Sequence, residues 1–278
     1  MGISLQRIID IIRRKTGAMP LIADKYVGIS RNPKIRTLAL GSSHMMFGYL
    51  PSIDEYNLAF PSQDLYSSYE LYKIYNNENI KNIIMCFSVF TPGQKLCLGS
   101  VAEASAMLKV IFGIEYQHPD MIDMDKTKKR ENFYRTEFKR YLKKLKLKDT
   151  YRGNLTKHGK MRTGEEHIKD IALKHLKNNQ RENDNMQSCI DLINETKKNN
   201  QNLYFVIPPV TNCYKSVLPS SDVMFKKLYD VVENQPHVKV LNFYDSNEYI
   251  DSDFHDGDHL KTCGAEKLTK AINEVIYS

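Results

Sequence analysis

The chain has 278 residues, 41% hydrophobic and 10% aromatic, and its 17 Tyr and 11 Phe can fill a core without Trp. That length suits one α/β domain carrying an insertion. No apolar run approaches the roughly 18 residues of a membrane span, and the five cysteines (Cys86, Cys97, Cys189, Cys213, Cys263) include no CxxC pair and no zinc-type spacing, so they read as reduced, mostly buried thiols.

The net charge of +7 is unevenly placed. Residues 126–162 hold 15 Lys/Arg against Glu131, Glu137 and Asp149, a local +12, and 7 − 12 leaves −5 for the rest. One basic segment therefore sits on a mildly acidic body.

Residues 1–34 read as an N-terminal helix and lead-in. The amphipathic stretch Ile8, Ile9, Ile11, Ile12 runs into Arg13, Arg14 and Lys15 with no signal-peptide core or cleavage site. Gln6 stands where a myristoylation pattern needs Ser or Thr. The expectation is a soluble, cytoplasmic protein.

Four apolar runs then read as buried parallel strands: Ile35–Leu40, Ile83–Phe90, Leu203–Val210 and Val238–Tyr244. Helical spacing joins Leu65, Tyr69 and Tyr72; Met186, Ile190 and Ile193; Met224, Leu228 and Val231; and Leu268, Ile272 and Val275. Alternating strands and helices imply βαβ units, with the site at the carboxyl ends of the strands. The stretch of about 115–165 breaks the rhythm. Its basic helix carries Tyr134, Phe138, Tyr141 and Leu145 on one face, and reads as an insertion near the site, packed on the domain by that face.

Two motifs carry chemistry. Gly41-Ser42-Ser43-His44 follows a strand and precedes a helix, which places the Ser43 hydroxyl on a tight turn at the sheet edge. The unpaired N–H groups of a helix start there suit an oxyanion. Asp256-Gly257-Asp258-His259 lies on a loop entering the last helix. A serine nucleophile needs a base, and the base needs a carboxylate to fix its tautomer. His255 is the alternative base. Asp258, directly beside His259, reads as poorly placed to accept from the same ring, and His44 as a pocket-lining or capping residue. Asp253, His255, Asp256, Asp258 and His259 also offer metal-ligand atoms, but no third element joins them, so no metal and no bound cofactor is expected.

Together these motifs resemble the SGNH (GDSL-like) hydrolase superfamily. Gly41-Ser42-Ser43 is similar to its Gly-Asp-Ser block, with Ser42 in place of Asp. Asp256-x-x-His259 is similar to its near-terminal Asp-x-x-His block. Asn57-Leu58-Ala59-Phe60-Pro61-Ser62 keeps the spacing of its Asn-x-Gly-x-x-Gly block, so the Ser62 N–H takes the second oxyanion position. The third block's Asn is missing from Phe87-Ser88-Val89-Phe90-Thr91, and Ser88 is the first substitute. A lost oxyanion donor costs roughly 3 kcal/mol. The resemblance covers residues 35–278 outside the insertion.

That resemblance implies a three-layer α/β/α, flavodoxin-like parallel sheet. It also implies a triad of Ser43, His259 and Asp256, with Ser62, Ser88, His44 and Asn57 around the oxyanion and substrate. Variants with Gly-Ser-Ser in the first block look like proteins of cell-envelope polysaccharide acylation. The activity so implied is ester hydrolysis or O-acetyl transfer on an acylated carbohydrate or other small ester, with acetyl-CoA as the donor in the transfer case. The competing reading is a non-catalytic glycan- or partner-binding protein on the same scaffold. The basic segment reads as a solvated face or an attractor of anionic substrate. No recognition motif accompanies it to indicate nucleic acid.

Overall fold

The computed structural model describes residues 19–96, 102–116, 124–156, 164–182 and 184–278. The amphipathic stretch at Ile8–Ile12 and Cys97 lie outside the described residues. The first elements are helix α1 (Met19–Ser30), strand β1 (Thr37–Leu40), helix α2 (Ser43–Gly48), β2 (Glu55–Asn57), α3 (Leu65–Tyr75) and β3 (Asn82–Cys86). Helices α4 (Ala102–Phe112), α5 (Met124–Leu142), α6 (Glu165–Asn179) and α7 (Met186–Lys198) follow, then β4 (Asn202–Ile207). The short helices α8 (Asn212–Lys215), α9 (Ser221–Met224) and α10 (Lys226–Val232) lead to β5 (Val238–Asn242), a single 3₁₀ turn at Asp251–Asp253 and α11 (Thr262–Ile276).

The chain divides into two compact units, one of residues 33–95 and 152–278, the other of the described parts of 1–32 and 96–151. The first holds an all-parallel five-stranded sheet in the order β2-β1-β3-β4-β5, flanked by helices. This is a three-layer α/β/α architecture with the flavodoxin-like strand order. Leu38, Ala39 and Leu40 of β1, Ile83 to Cys86 of β3 and Leu203 to Ile207 of β4 are buried, as strands covered on both faces must be. The apolar run at Ile83–Phe90 stays extended only to Cys86; Phe87–Thr91 turns away.

β2 has no apolar run to announce it. Its Glu55 and Asn57 are buried because each is paired: Glu55 accepts from Ser52 N–H at 2.7 Å and from the Tyr277 hydroxyl. The edge is covered on its outer side, where Asn57 N–H donates to the Arg152 carbonyl at 2.8 Å. The helix expected through Met224, Leu228 and Val231 is broken at Phe225 into α9 and α10.

The chain leaves β1 for β2 and returns to β3, so the order reverses between β1 and β3. Ligand crevices of open α/β sheets form at such a point, beyond the carboxyl ends of the strands. Gly41 sits there with φ +123°, and a Cβ on it would lie 2.5 Å from Cβ of Cys86. Gly41→Ala is therefore expected to destabilise this unit by about 3 kcal/mol, from backbone strain plus overpacking. The midpoint of urea unfolding reads it, and an unchanged midpoint would contradict the assigned turn.

The second unit is helical. Tyr26 of α1 meets Phe112 of α4 at 5.6 Å and Phe138 of α5 at 5.7 Å, both edge-on. The Tyr141 hydroxyl donates to Asp24 at 2.9 Å, and Lys109 pairs with Glu131 at 3.0 Å. The aromatic face of the basic helix thus packs on α1, and the insertion shares a unit with the N-terminal helix. That unit takes in the described residues of 96–151. The other face of α5 exposes Lys128, Lys129, Arg130, Arg135, Lys139 and Arg140. Among the described residues no helix is long and apolar enough to cross a membrane.

Candidate active site

β1 delivers Ser43 and the last loop delivers His259. Ser43 is the first residue of α2, reached through the Gly41 turn. Two interactions shape the loop: Phe254 bridges Leu260, and Thr211 donates both its N–H and its hydroxyl to the Gly257 carbonyl at 3.0 Å. Gly257 packs so closely that a Cβ would lie 2.6 Å from Cγ2 of Ile168 on α6. The Asp256 carboxylate accepts the N–H groups of Asp258 (3.2 Å) and His259 (2.8 Å), an Asx turn that aims the next two side chains inward.

The three residues expected to form the triad meet. Nε2 of His259 lies 2.8 Å from Oγ of Ser43, and Nδ1 lies 2.9 and 3.0 Å from the two oxygens of Asp256. The ring at Ser43 Oγ is that of His259, and the alternative base His255 is tied to it through the backbone, its N–H donating to the His259 carbonyl at 2.8 Å.

Asp258 departs from the sequence expectation. The Asx turn swings its carboxylate back, so that Oδ1 lies 3.2 Å from Nδ1 of His259. Its Oδ2 lies 3.0 Å from Nε2 of His44, whose Nδ1 lies 3.0 Å from Oγ of Ser42. His44 is thus a buried partner of Asp258, stacked on His259 at 5.1 Å and 15° between planes. His175 of α6 completes the cluster, its Nδ1 3.6 Å from Asp258 and 2.7 Å from the Tyr214 hydroxyl. Phe90 packs against both His44 and His175. No sequence spacing ties residues 90, 175 or 214 to the two motifs.

Electrostatics follow from burial against pairing. Burial disfavours charge on Asp258, yet His259 and His44 hold it well below the usual carboxylate range. Burial also pushes Asp256 up, but its hydrogen bond with His259 leaves it below the ordinary value. His259 resists charge through burial, while Asp258 and Asp256 together raise it to about 9. His175 goes the other way: burial lowers it to about 4 despite Asp258. It is an uncharged ring at neutral pH.

The residues named for the oxyanion divide. Phe60 N–H donates to the Gly41 carbonyl at 3.2 Å and Leu58 N–H to Ala39 at 2.8 Å, which ties the 58–62 turn to the Ser43 turn; Ser62 stands in that turn at φ 59°. Asn57 does something else. Its Nδ2 donates to the Met45 and Tyr49 carbonyls at 2.9 Å each, and its Oδ1 accepts from Ala59 N–H. Its amide clips α2 to β2 and is not presented to a substrate. Ser88 pairs its hydroxyl with Thr91 at 2.9 Å, and among the described contacts none joins it to Ser43 or His259.

One donor atom each of His44, Asp258 and His259 lie within 4.8 Å of one another, a spacing set by the His44–Asp258 hydrogen bond and the close Asp258–His259 pair. Asp253, once a candidate ligand, accepts from Lys267 at 2.7 Å. A cleft of about 440 Å³ opens beyond β4 and β5, lined by Asn212, Asn247, Tyr249, Ile250 and Asp251 among others. Asn212 follows Thr211, the residue that clamps the loop at Gly257. No protein-family model matches the chain, and a search of curated proteins finds no match.

Proposed function

We propose that this protein is an SGNH-type serine ester hydrolase or O-acetyltransferase acting on an acylated carbohydrate. The observation that carries the proposal is the unbroken line from Ser43 Oγ through the His259 ring to Asp256, at 2.8 Å and 2.9 Å. In the proposed reaction His259 takes the Ser43 proton as Oγ attacks the ester carbonyl. Asp256 accepts from Nδ1 and stabilises the imidazolium. The Ser43 and Ser62 N–H groups receive the oxyanion. His259 then returns the proton to the departing alkoxide, leaving an acyl-Ser43. Water or a sugar hydroxyl, deprotonated by the same ring, takes the acyl group.

Transfer would use acetyl-CoA as donor. The exposed cations of α5 would attract anionic substrates or donors.

Incubation with p-nitrophenyl acetate tests the reading. The expected result is nitrophenol release together with one acetyl group on the Ser43 peptide by mass spectrometry, both absent in Ser43→Ala. Release that persists unchanged in Ser43→Ala would refute it. The second reading, a non-catalytic glycan-binding scaffold, draws on the pairing of Ser88 with Thr91, which leaves the turn after β3 without an evident oxyanion donor. It predicts neither release nor label.

A further inference from the structure

The loop and α2 each contribute one residue to the other. Ser43 of α2 meets His259 of the loop, and Asp258 of the loop meets His44 of α2. The consequence is that His259 has two carboxylates on Nδ1, although a triad needs one. Asp256 engages that nitrogen with both oxygens. Asp258 adds Oδ1 at 3.2 Å and spans with Oδ2 to the parallel His44 ring. A buried carboxylate bridging two stacked imidazoles fixes both rings, because neither can turn without breaking a charge-assisted bond.

We propose that Asp258 is a positioning residue of this site. Shared between His44 and His259, it holds the base in plane toward Ser43 and stabilises its charged form. The effect on turnover rests on the acyl-transfer reading, whereas the effect on the ring does not. The groups facing this assembly are Ser43, His44 and Phe47 on α2, Asp256 on the loop, and His175 on α6 with Lys174 beside it. His175 is uncharged near neutrality, so the two loop carboxylates dominate.

A second carboxylate has opposed effects. It stabilises the imidazolium that forms during attack. It also keeps the resting ring protonated, since a ring titrating at about 9 is only about 1% free base at pH 7. Removing Asp258 gives a weaker base that is more often free. The pH–rate curves of wild type and Asp258→Asn should therefore cross, the variant faster on the acid side and slower on the alkaline plateau. Loss of fold or of packing lowers a curve everywhere and cannot make two curves cross.

The test is imidazole NMR titration of His259 in wild type, Asp258→Asn and His44→Gln, beside p-nitrophenyl acetate profiles of the same proteins. The His259 midpoint should fall by at least about one pH unit in Asp258→Asn. It should rise in His44→Gln, which strips Asp258 of its other ring partner and serves where the Asp258 variant does not fold. A midpoint unmoved in both variants overturns the proposal. A midpoint that moves as stated, in a protein with no turnover and no label on Ser43, upholds the positioning role and sinks the esterase reading instead.

Discussion

On the proposed acyl-transfer reading, His259→Ala and Ser43→Ala are each expected to lower p-nitrophenyl acetate turnover about 10⁴- to 10⁶-fold, because a nucleophile and its base act as one unit. Asp256→Asn should cost much less than the roughly 10⁴-fold that loss of a lone orienting carboxylate costs elsewhere. Asp258 Oδ1 already stands 3.2 Å from the same Nδ1 and can hold the tautomer. A loss of about 10²-fold is the expected result. The double variant Asp256→Asn/Asp258→Asn should then fall to the level of His259→Ala, a non-additivity that a double-mutant cycle reads directly. If Asp256→Asn alone is as inactive as His259→Ala, the second carboxylate does not support the ring. The measurement is kcat at pH values above and below 9, since the base form of His259 appears only as pH rises through that value.

The main strands were legible because parallel strands buried on both faces must be runs of apolar residues, as at Leu203–Ile207. β2 was not, since Glu55 and Asn57 owe their burial to partners distant in sequence, Tyr277 and Arg152. α4 also escaped: its Ala, Met, Leu, Val and Ile residues lie nearly all round the helix, which leaves no period to read. Within the site, Ser43, Asp256 and His259 were named from two motifs taken together with the family resemblance, and the fold brings the three side chains into one hydrogen-bonded line. Asp258 was misjudged because adjacency in sequence suggests divergent side chains, whereas the Asp256 Asx turn reverses the backbone between them. The contribution of His175 depends on where α6 docks, which its own mostly polar sequence does not encode.

The same contrast between a side chain that reacts and one that places it gives the largest expected effect on stability. Asn57 reads from its motif as a substrate-facing residue. In the fold its amide joins Met45 of α2 and Tyr49, the residue that caps its end, to the Ala59 N–H just beyond β2. Asn57→Ala leaves the buried Ala59 N–H and Tyr49 carbonyl without this partner. Each such loss costs about 1–3 kcal/mol, so a total of about 3 kcal/mol is expected in chemical unfolding. For a unit of this size that lowers the melting temperature by several degrees. α2 carries Ser43 at its first residue, so loosening its clip should also reduce kcat while KM and the His259 titration midpoint stay near wild type. An unfolding midpoint within experimental error of wild type, with KM raised instead, would return Asn57 to the substrate pocket.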